Sequence, residues 1–337
     1  MNSIISTSSH ASPLSWQKQL SNIVTDAQQL IDYLQLPQSY YDDIHQALQQ
    51  FPLKVPEAFL ARIKKGCLDD PLLRQILPLA VELEQHPEFS LDPLLELDAN
   101  PVSGIIHKYP GRVLLIPTSA CAIHCRYCFR RHFPYGDNTP TRSQWNQSLD
   151  YIRSDTSIEE IILSGGDPLA CSDRQLSWLN EQLSSIQHVK RLRIHSRLPL
   201  VLPDRIDANF LHWSRNSRLQ VIVVVHCNHA QEIDNSVGEA VEKMRRAGIM
   251  MFNQTVLLRG INDNLATLAS LSKKLIEVGV APYYLHLLDK VQGAQHFDLP
   301  VQQAITLHRQ LRDSLPGYMV PQLVQERAGE LSKTLLR

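Results

Sequence analysis

Three cysteines, Cys121, Cys125 and Cys128, stand in the run CAIHCRYCFRR with the spacing Cys-x3-Cys-x2-Cys. Iron–sulfur clusters normally take four thiolates. Three thiolates this close can hold three corners of a [4Fe–4S] cube and leave the fourth iron open to a chelating ligand. His124 and His132 lie nearby and raise the alternative of a zinc site. Zinc sites usually show paired Cys-x2-Cys units, however, and no second pair exists here. A disulfide framework is not expected in an intracellular chain of this size. Cys67, Cys171 and Cys227 are scattered and read as ordinary buried or half-buried thiols.

The elements that must position these thiols divide near residue 100. Before it, SWQKQLSNIV, DAQQLIDYL, YDDIHQALQQF, PEAFLARIKKG and DPLLRQILPLAVELEQH carry apolar residues at three- and four-residue intervals, so five helices are expected. After it the pattern alternates. Apolar runs at 112–117, 160–163, 191–195, 219–226, 250–257 and 282–288 read as strands, with amphipathic helices between them. Gly248 and Gly279 fall where helices should stop. Six strand–helix units imply a parallel sheet covered by helices, an open (βα)6 barrel in the α/β class. Sites in such sheets assemble at the C-terminal ends of the strands. The cysteine loop follows the first strand. LSGGDPL (163–169), HSR (195–197) and HCNH (226–229) end the next three, and Asn253–Gln254 lies in the fifth. The organisation expected is a helical region over 1–100, a barrel over 101–300 and a helix with a short tail over 301–337.

Composition bounds the rest. With 337 residues, 43% of them hydrophobic, the chain can bury a sizeable core. A net charge of −1 gives no global field for nucleic acid or an anionic membrane, so neither is expected as a partner. No run of 18 apolar residues occurs, and Met1 is not followed by an apolar signal core. A cytoplasmic location is the expectation.

The open cluster motif, with Tyr127 before its last cysteine, resembles that of the radical S-adenosylmethionine (SAM) enzymes. The runs HKYPGRVLLIPTSACAIHCRYCFRRHF (107–133), LSGGDPL, RIHSRLPLVLPDRI (193–206), HCNHAQEI (226–233), NQTVLLRGIND (253–263) and PYYLHLLDKVQGAQHF (282–297) narrow this to a resemblance to the lysine 2,3-aminomutase family. The short C-terminus and helical N-terminal segment resemble the branch that makes (R)-β-lysine for modification of translation elongation factor P.

The resemblance implies a partial radical-SAM barrel, an isomerase activity on L-lysine, and three cofactors: a [4Fe–4S] cluster, SAM and pyridoxal 5′-phosphate (PLP). Cys121, Cys125 and Cys128 would hold the cluster. Gly165, Gly166 and Asp167 match the turn that meets the SAM amino group. Glycine permits close backbone approach there, although Asp167 can equally cap a helix starting at Pro168. Ser196, His226 and Gln254 match positions near SAM. A lone histidine in an apolar setting is otherwise most often structural. Lys333, in ERAGELSKTLL (326–336), matches the catalytic lysine that holds PLP as a Schiff base. The segment lacks most of the family's glycines and carries Leu335 where proline is expected. By residue type alone, Lys333 would be a solvated tail lysine. Lys108 and Arg112 match a basic pair near the PLP phosphate and would otherwise be surface charge. Arg130 matches the arginine that receives the substrate carboxylate. Its plain alternative is charge compensation for the cluster, which Arg126 and Arg131 could also supply. Asp289 and Glu326 match two aspartates that hold the ε-ammonium, the second changed to glutamate. Asn264 occupies a position where larger members carry a zinc-binding cysteine, so no zinc is expected.

A reducing partner such as flavodoxin or ferredoxin, and a functional link to the elongation factor P lysyl ligase, follow from the same resemblance. Two alternatives stand beside it. One is a lysine 2,3-aminomutase of free β-lysine metabolism. The other is an inert iron–sulfur protein that presents a partner through its helical N-terminus. The N-terminal region is expected to pack on the outside of the barrel.

Overall fold

Each of the six apolar runs forms a strand where the pattern places it. The computed structural model describes residues 14–138 and 142–337, so the first thirteen residues of the expected helical region lie outside it. Among the described residues the sheet has nine strands, ordered as in the sequence. They are β1 (Ile105–Tyr109), β2 (Arg112–Leu115), β3 (Glu160–Leu163), β4 (Arg191–Ser196), β5 (Gln220–Val225), β6 (Met250–Val256), β7 (Ala281–His286), β8 (Gln322–Gln325) and β9 (Thr334–Leu335). From β2 to β8 every pairing is parallel. The antiparallel pairs β1–β2 and β8–β9 close the two ends. The fold is thus the expected parallel α/β sheet, extended by a seventh parallel strand and two antiparallel edges.

Strand periodicity explains how the sheet serves a site. Side chains alternate between faces. In β5, Val221, Val223 and Val225 join the main apolar core, whereas Ile222 and Val224 line a central cavity. In β4, Leu192 and Ile194 are core and Arg193 and His195 line the cavity. Register carries the same face across neighbours: His195 pairs with Val224, and Val224 with Phe252. A register shift between Asn253 and Gln254 then sets Gln254 opposite Tyr284.

The connecting helices begin on side-chain caps. Ser172 forms a capping box on Asp173–Ser184, Asp234 caps Asn235–Arg246, and Asn264 caps Leu265–Val278. Gly279 ends the last of these in the left-handed conformation, at φ 86°.

Four of the five expected N-terminal helices form, at Trp16–Ser21, Ala27–Leu34, Tyr41–Leu48 and Glu57–Leu60. The fifth, over 70–86, does not. It is two 3-10 turns, Leu73–Gln75 and Ala80–Leu83. Pro78 lies between them, without an N–H to continue a helix and biasing its predecessor toward extended backbone. The apolar spacing there instead serves burial: Leu72, Leu73 and Ile76 are fully enclosed. They share one continuous core with Leu115, Ile161 and Ile194 of the sheet. The expectation that this region merely packs on the outside is also corrected, because Glu96 lines the central cavity.

Candidate active site

A cavity of about 750 Å³ is lined by residues from β1 through β8, the cysteine loop and the C-terminal tail. Of the site residues expected from sequence, the three cysteines, the 165–167 turn, Lys108, Arg112, Arg130, Ser196, His226, Gln254, Asp289, Glu326 and Lys333 all line it.

The cysteine loop is held from both sides. Cys128 donates its backbone N–H to Cys125 O, and Arg126 N–H reaches Gln75 O. Arg126 is fully buried, binds Glu82 through Nε and Nη2 at 2.8 and 2.5 Å, and donates to Phe51 O. Arg131 also pairs with Glu82, at 2.8 Å. These two arginines are therefore committed to Glu82. The cation that reaches a thiol is Arg197, whose Nη1 lies 2.7 Å from Cys125 Sγ. Its Nη2 contacts Gln75 Oε1 at 2.6 Å and Glu232 Oε2 at 3.1 Å. Burial, and then the negative charges of Asp167 and Cys128, push the Cys121 thiol up. Burial and Cys125 raise Cys128 to about 11. The two histidines that suggested zinc are otherwise engaged: His124 Nδ1 with Pro52 O at 2.8 Å, and His132 Nε2 with Gln292 O at 3.1 Å.

The 165–167 turn packs directly under this loop. A Cβ on Gly166 would sit 2.6 Å from Ala120 O and Ser119 C. Gly165 has φ 114°, and its Cβ would meet Ile116 Cγ2 at 2.7 Å. Glycine is needed here for loop packing whatever else the turn binds. Asp167 does cap the 3-10 turn Pro168–Ala170, accepting from Leu169 N–H. It also accepts from Ser196 Oγ at 2.6 Å and from the N–H groups of Arg197 and Leu198. Ser196 and Asp167 are thus bound to each other.

A chain of alternating charges starts beside the cysteine loop, at Arg130. Arg130 donates to Glu96 through Nε at 2.7 Å and Nη2 at 2.8 Å, and through Nη1 to Ser164 Oγ at 3.0 Å. Lys108 Nζ lies 3.5 Å from Glu96 and 3.2 Å from Glu326. Lys333 pairs with Glu326. Burial opposes the charge on Glu326, but Lys333 and Lys108 outweigh it and hold the carboxyl down at about 2. Asp289 is the reverse case. Burial and the neighbouring Glu326 push it up to about 7. Glu326 directly follows β8 and Lys333 directly precedes β9, so the strand pair brings the two together. Leu335, in place of the family proline, pairs with Val324.

Three histidines, His195, His226 and His286, also line the cavity. Gln254 Nε2 is 3.1 Å from His226 Nε2, which is 3.4 Å from His195 Nδ1. Burial, reinforced by Arg197, lowers His226 to about 3. Burial and Lys333 lower His286 equally, so both are neutral at pH 7.

The radical SAM superfamily model matches residues 115–210. An L-lysine 2,3-aminomutase of Escherichia coli (strain K12) is 46% identical over 322 residues, covering 95% of this chain and 94% of its own. One from Haemophilus influenzae is 44% identical, covering 95% of each. One from Clostridium subterminale is 34% identical, over 95% of this chain and 77% of its own. The chain belongs to the lysine 2,3-aminomutase family. It is an enzyme of the isomerase class, and the superfamily implies a [4Fe–4S] cluster and SAM.

The residues present fit those groups. The three thiols line one cavity, with Arg197 beside one sulfur to offset negative charge. Nε of Arg193, Nε2 of His195 and Nε2 of His286 are buried without a hydrogen-bond partner among the described residues. All three residues line the cavity. Buried polar atoms are ordinarily paired, so these suit a polar ligand. Sequence reasoning passed over Glu96, Gln75 and Arg197. Only Arg197 carried a signal, as the third residue of the HSR run.

Proposed function

We propose that the protein is a PLP-dependent radical SAM lysine 2,3-aminomutase that converts L-α-lysine to (R)-β-lysine, and that this product serves the modification of elongation factor P. The observation that carries the reading is one cavity that gathers three thiols, a lysine amine, an arginine and an unpaired carboxyl group: Cys121, Cys125, Cys128, Lys333, Arg130 and Asp289.

The roles follow from chemistry. When bound, SAM on the cluster supplies a hydrogen-abstracting 5′-deoxyadenosyl radical, and PLP supplies a carbonyl and a delocalising ring for the migrating amino group. Cys121, Cys125 and Cys128 would hold the cluster, and the 165–167 turn, Ser196, His226 and Gln254 would line the space that takes SAM. Neutral histidines there can hydrogen-bond without adding charge. Lys333 would offer the amine that holds PLP, and Lys108 and Arg112 would supply positive charge for its phosphate. Arg130 receives the substrate carboxylate, which a guanidinium fork suits. Asp289 accepts the ε-ammonium, joined by Glu326 when Lys333 is engaged elsewhere. Flavodoxin or ferredoxin would supply the electron, and a cytoplasmic setting suits the oxygen-sensitive cluster. The elongation-factor destination is supported by sequence resemblance to that branch.

The test is anaerobic incubation of reconstituted protein with SAM, PLP, reductant and L-lysine, followed by chiral chromatography. The expected product is (R)-β-lysine, absent with Cys125→Ala, and accepted by the elongation factor P lysyl ligase. A fully reconstituted protein that returns only unchanged lysine overturns the reading.

A further inference from the structure

Glu96 reaches the cavity from a short loop built to deliver it. Leu95, directly before it, has φ 48°, a conformation that few non-glycine residues adopt and that is retained mostly at functional sites. Leu95 and Leu97 are exposed, while Glu96 between them is 4% exposed. Asp92 fixes the turn, accepting from Glu96 N–H at 3.1 Å and from Leu97 N–H at 3.4 Å. The loop thus turns two leucines outward in order to bury a carboxylate.

That carboxylate occupies one particular edge of Arg130. A guanidinium has five N–H donors. Glu96 takes the Nε donor and one of the two on Nη2, and Ser164 takes one on Nη1. One N–H remains on each terminal nitrogen, so the guanidinium, which lines the cavity, still holds two donors for a further carboxylate. Lys108, 3.5 Å from Glu96 Oε1, sets a second cation beside the same carboxylate.

We propose that Glu96 is the positioning residue for Arg130: it clamps the inner edge of the guanidinium so that the outer edge selects ligands carrying an α-carboxylate. This rests on the lysine reading above. Glu96 is then no competitor of the substrate, because the two carboxylates use different edges of one arginine.

The experiment compares two ligands, L-lysine and 1,5-diaminopentane, which lacks the carboxylate. Binding to the reconstituted, PLP- and SAM-loaded protein is measured by anaerobic calorimetry without reductant, so that no turnover occurs. Wild type should prefer L-lysine. Glu96→Gln should weaken L-lysine about ten- to a hundredfold, the range for hydrogen bonds to charged groups, and leave 1,5-diaminopentane within about twofold. Glu96→Asp, which keeps the charge, should recover part of the loss. Iron and PLP content should match wild type. Equal losses for both ligands in both variants would show a merely structural role and overturn the proposal. Tighter L-lysine binding by Glu96→Gln would also overturn it, by showing that Glu96 plugs the site. If wild type turns over L-lysine but Glu96→Gln binds it normally, the inference fails and the function stands. A wild type that does not distinguish the ligands sinks both.

Discussion

Lys333 and Asp289 face the same cavity in opposite electrostatic states. Lys333 has a carboxylate partner in Glu326. Lys333→Ala should abolish the pyridoxyl label trapped by borohydride, while iron content stays at the wild-type level. Peptide mapping checks this, and label on Lys290 or Lys273 would move the cofactor lysine elsewhere. Lys290 is the weaker candidate on geometry, since its amine pairs with Glu88 on the surface at 2.7 Å. Asp289 has a folded-state pKa near 7, above its unfolded value. Folding therefore favours its neutral form, and that stabilisation is present at low pH and lost as pH rises through about 7. Asp289→Asn should remove this slope. In urea titrations the variant should gain stability relative to wild type between pH 5 and pH 8, and a constant difference would refute the burial argument. The cysteines, Lys333, Arg130 and Asp289 were legible in the sequence because motif and position mark them. Glu96 was not, because nothing local distinguishes an acid in a leucine-rich loop whose partner lies 34 residues on.

Strands were the most legible elements, since β-branched apolar runs bounded by turns have few other readings. The turn over 165–167 was legible too, but the reason for its glycines was not, because it depends on the cysteine loop lying against it. Gly166→Ala should displace that loop, costing roughly 1–3 kcal/mol as an overpacked contact and lowering iron content. Gly238→Ala is the control, in the helix Asn235–Arg246 with only Val278 Cγ1 nearby, at 3.8 Å. It should be neutral or slightly stabilising. Thermal melts and iron assays on the two variants decide it, and equal behaviour would refute the packing argument. The 70–86 segment misled because core contact and helical periodicity can produce the same apolar spacing. β8 and β9 escaped notice because four and two residues are too short to establish alternation.

Across the whole molecule, the N-terminal region and the cysteine loop are locked by one acid. Glu82 is 1% exposed and pairs with both Arg126 and Arg131. Its removal leaves two buried cations without a charged partner, a loss that typically costs about 3–5 kcal/mol. Glu82→Gln should accordingly lower the urea midpoint sharply and reduce cluster loading, although Glu82 is absent from the cavity wall. An unchanged midpoint would show that the lock contributes little. Composition could not reveal this dependence, because the partners lie more than forty residues apart.

The order of strands in the sheet is also their order in the sequence. A growing chain can therefore lay each strand against an edge already in place, with no earlier gap to fill. The strand that follows Lys333 lies at one end of that order, paired with β8 alone. On the proposed role of Lys333, capture of PLP would fasten this edge strand, so cofactor content should rise and fall with the order of the β8–β9 pair.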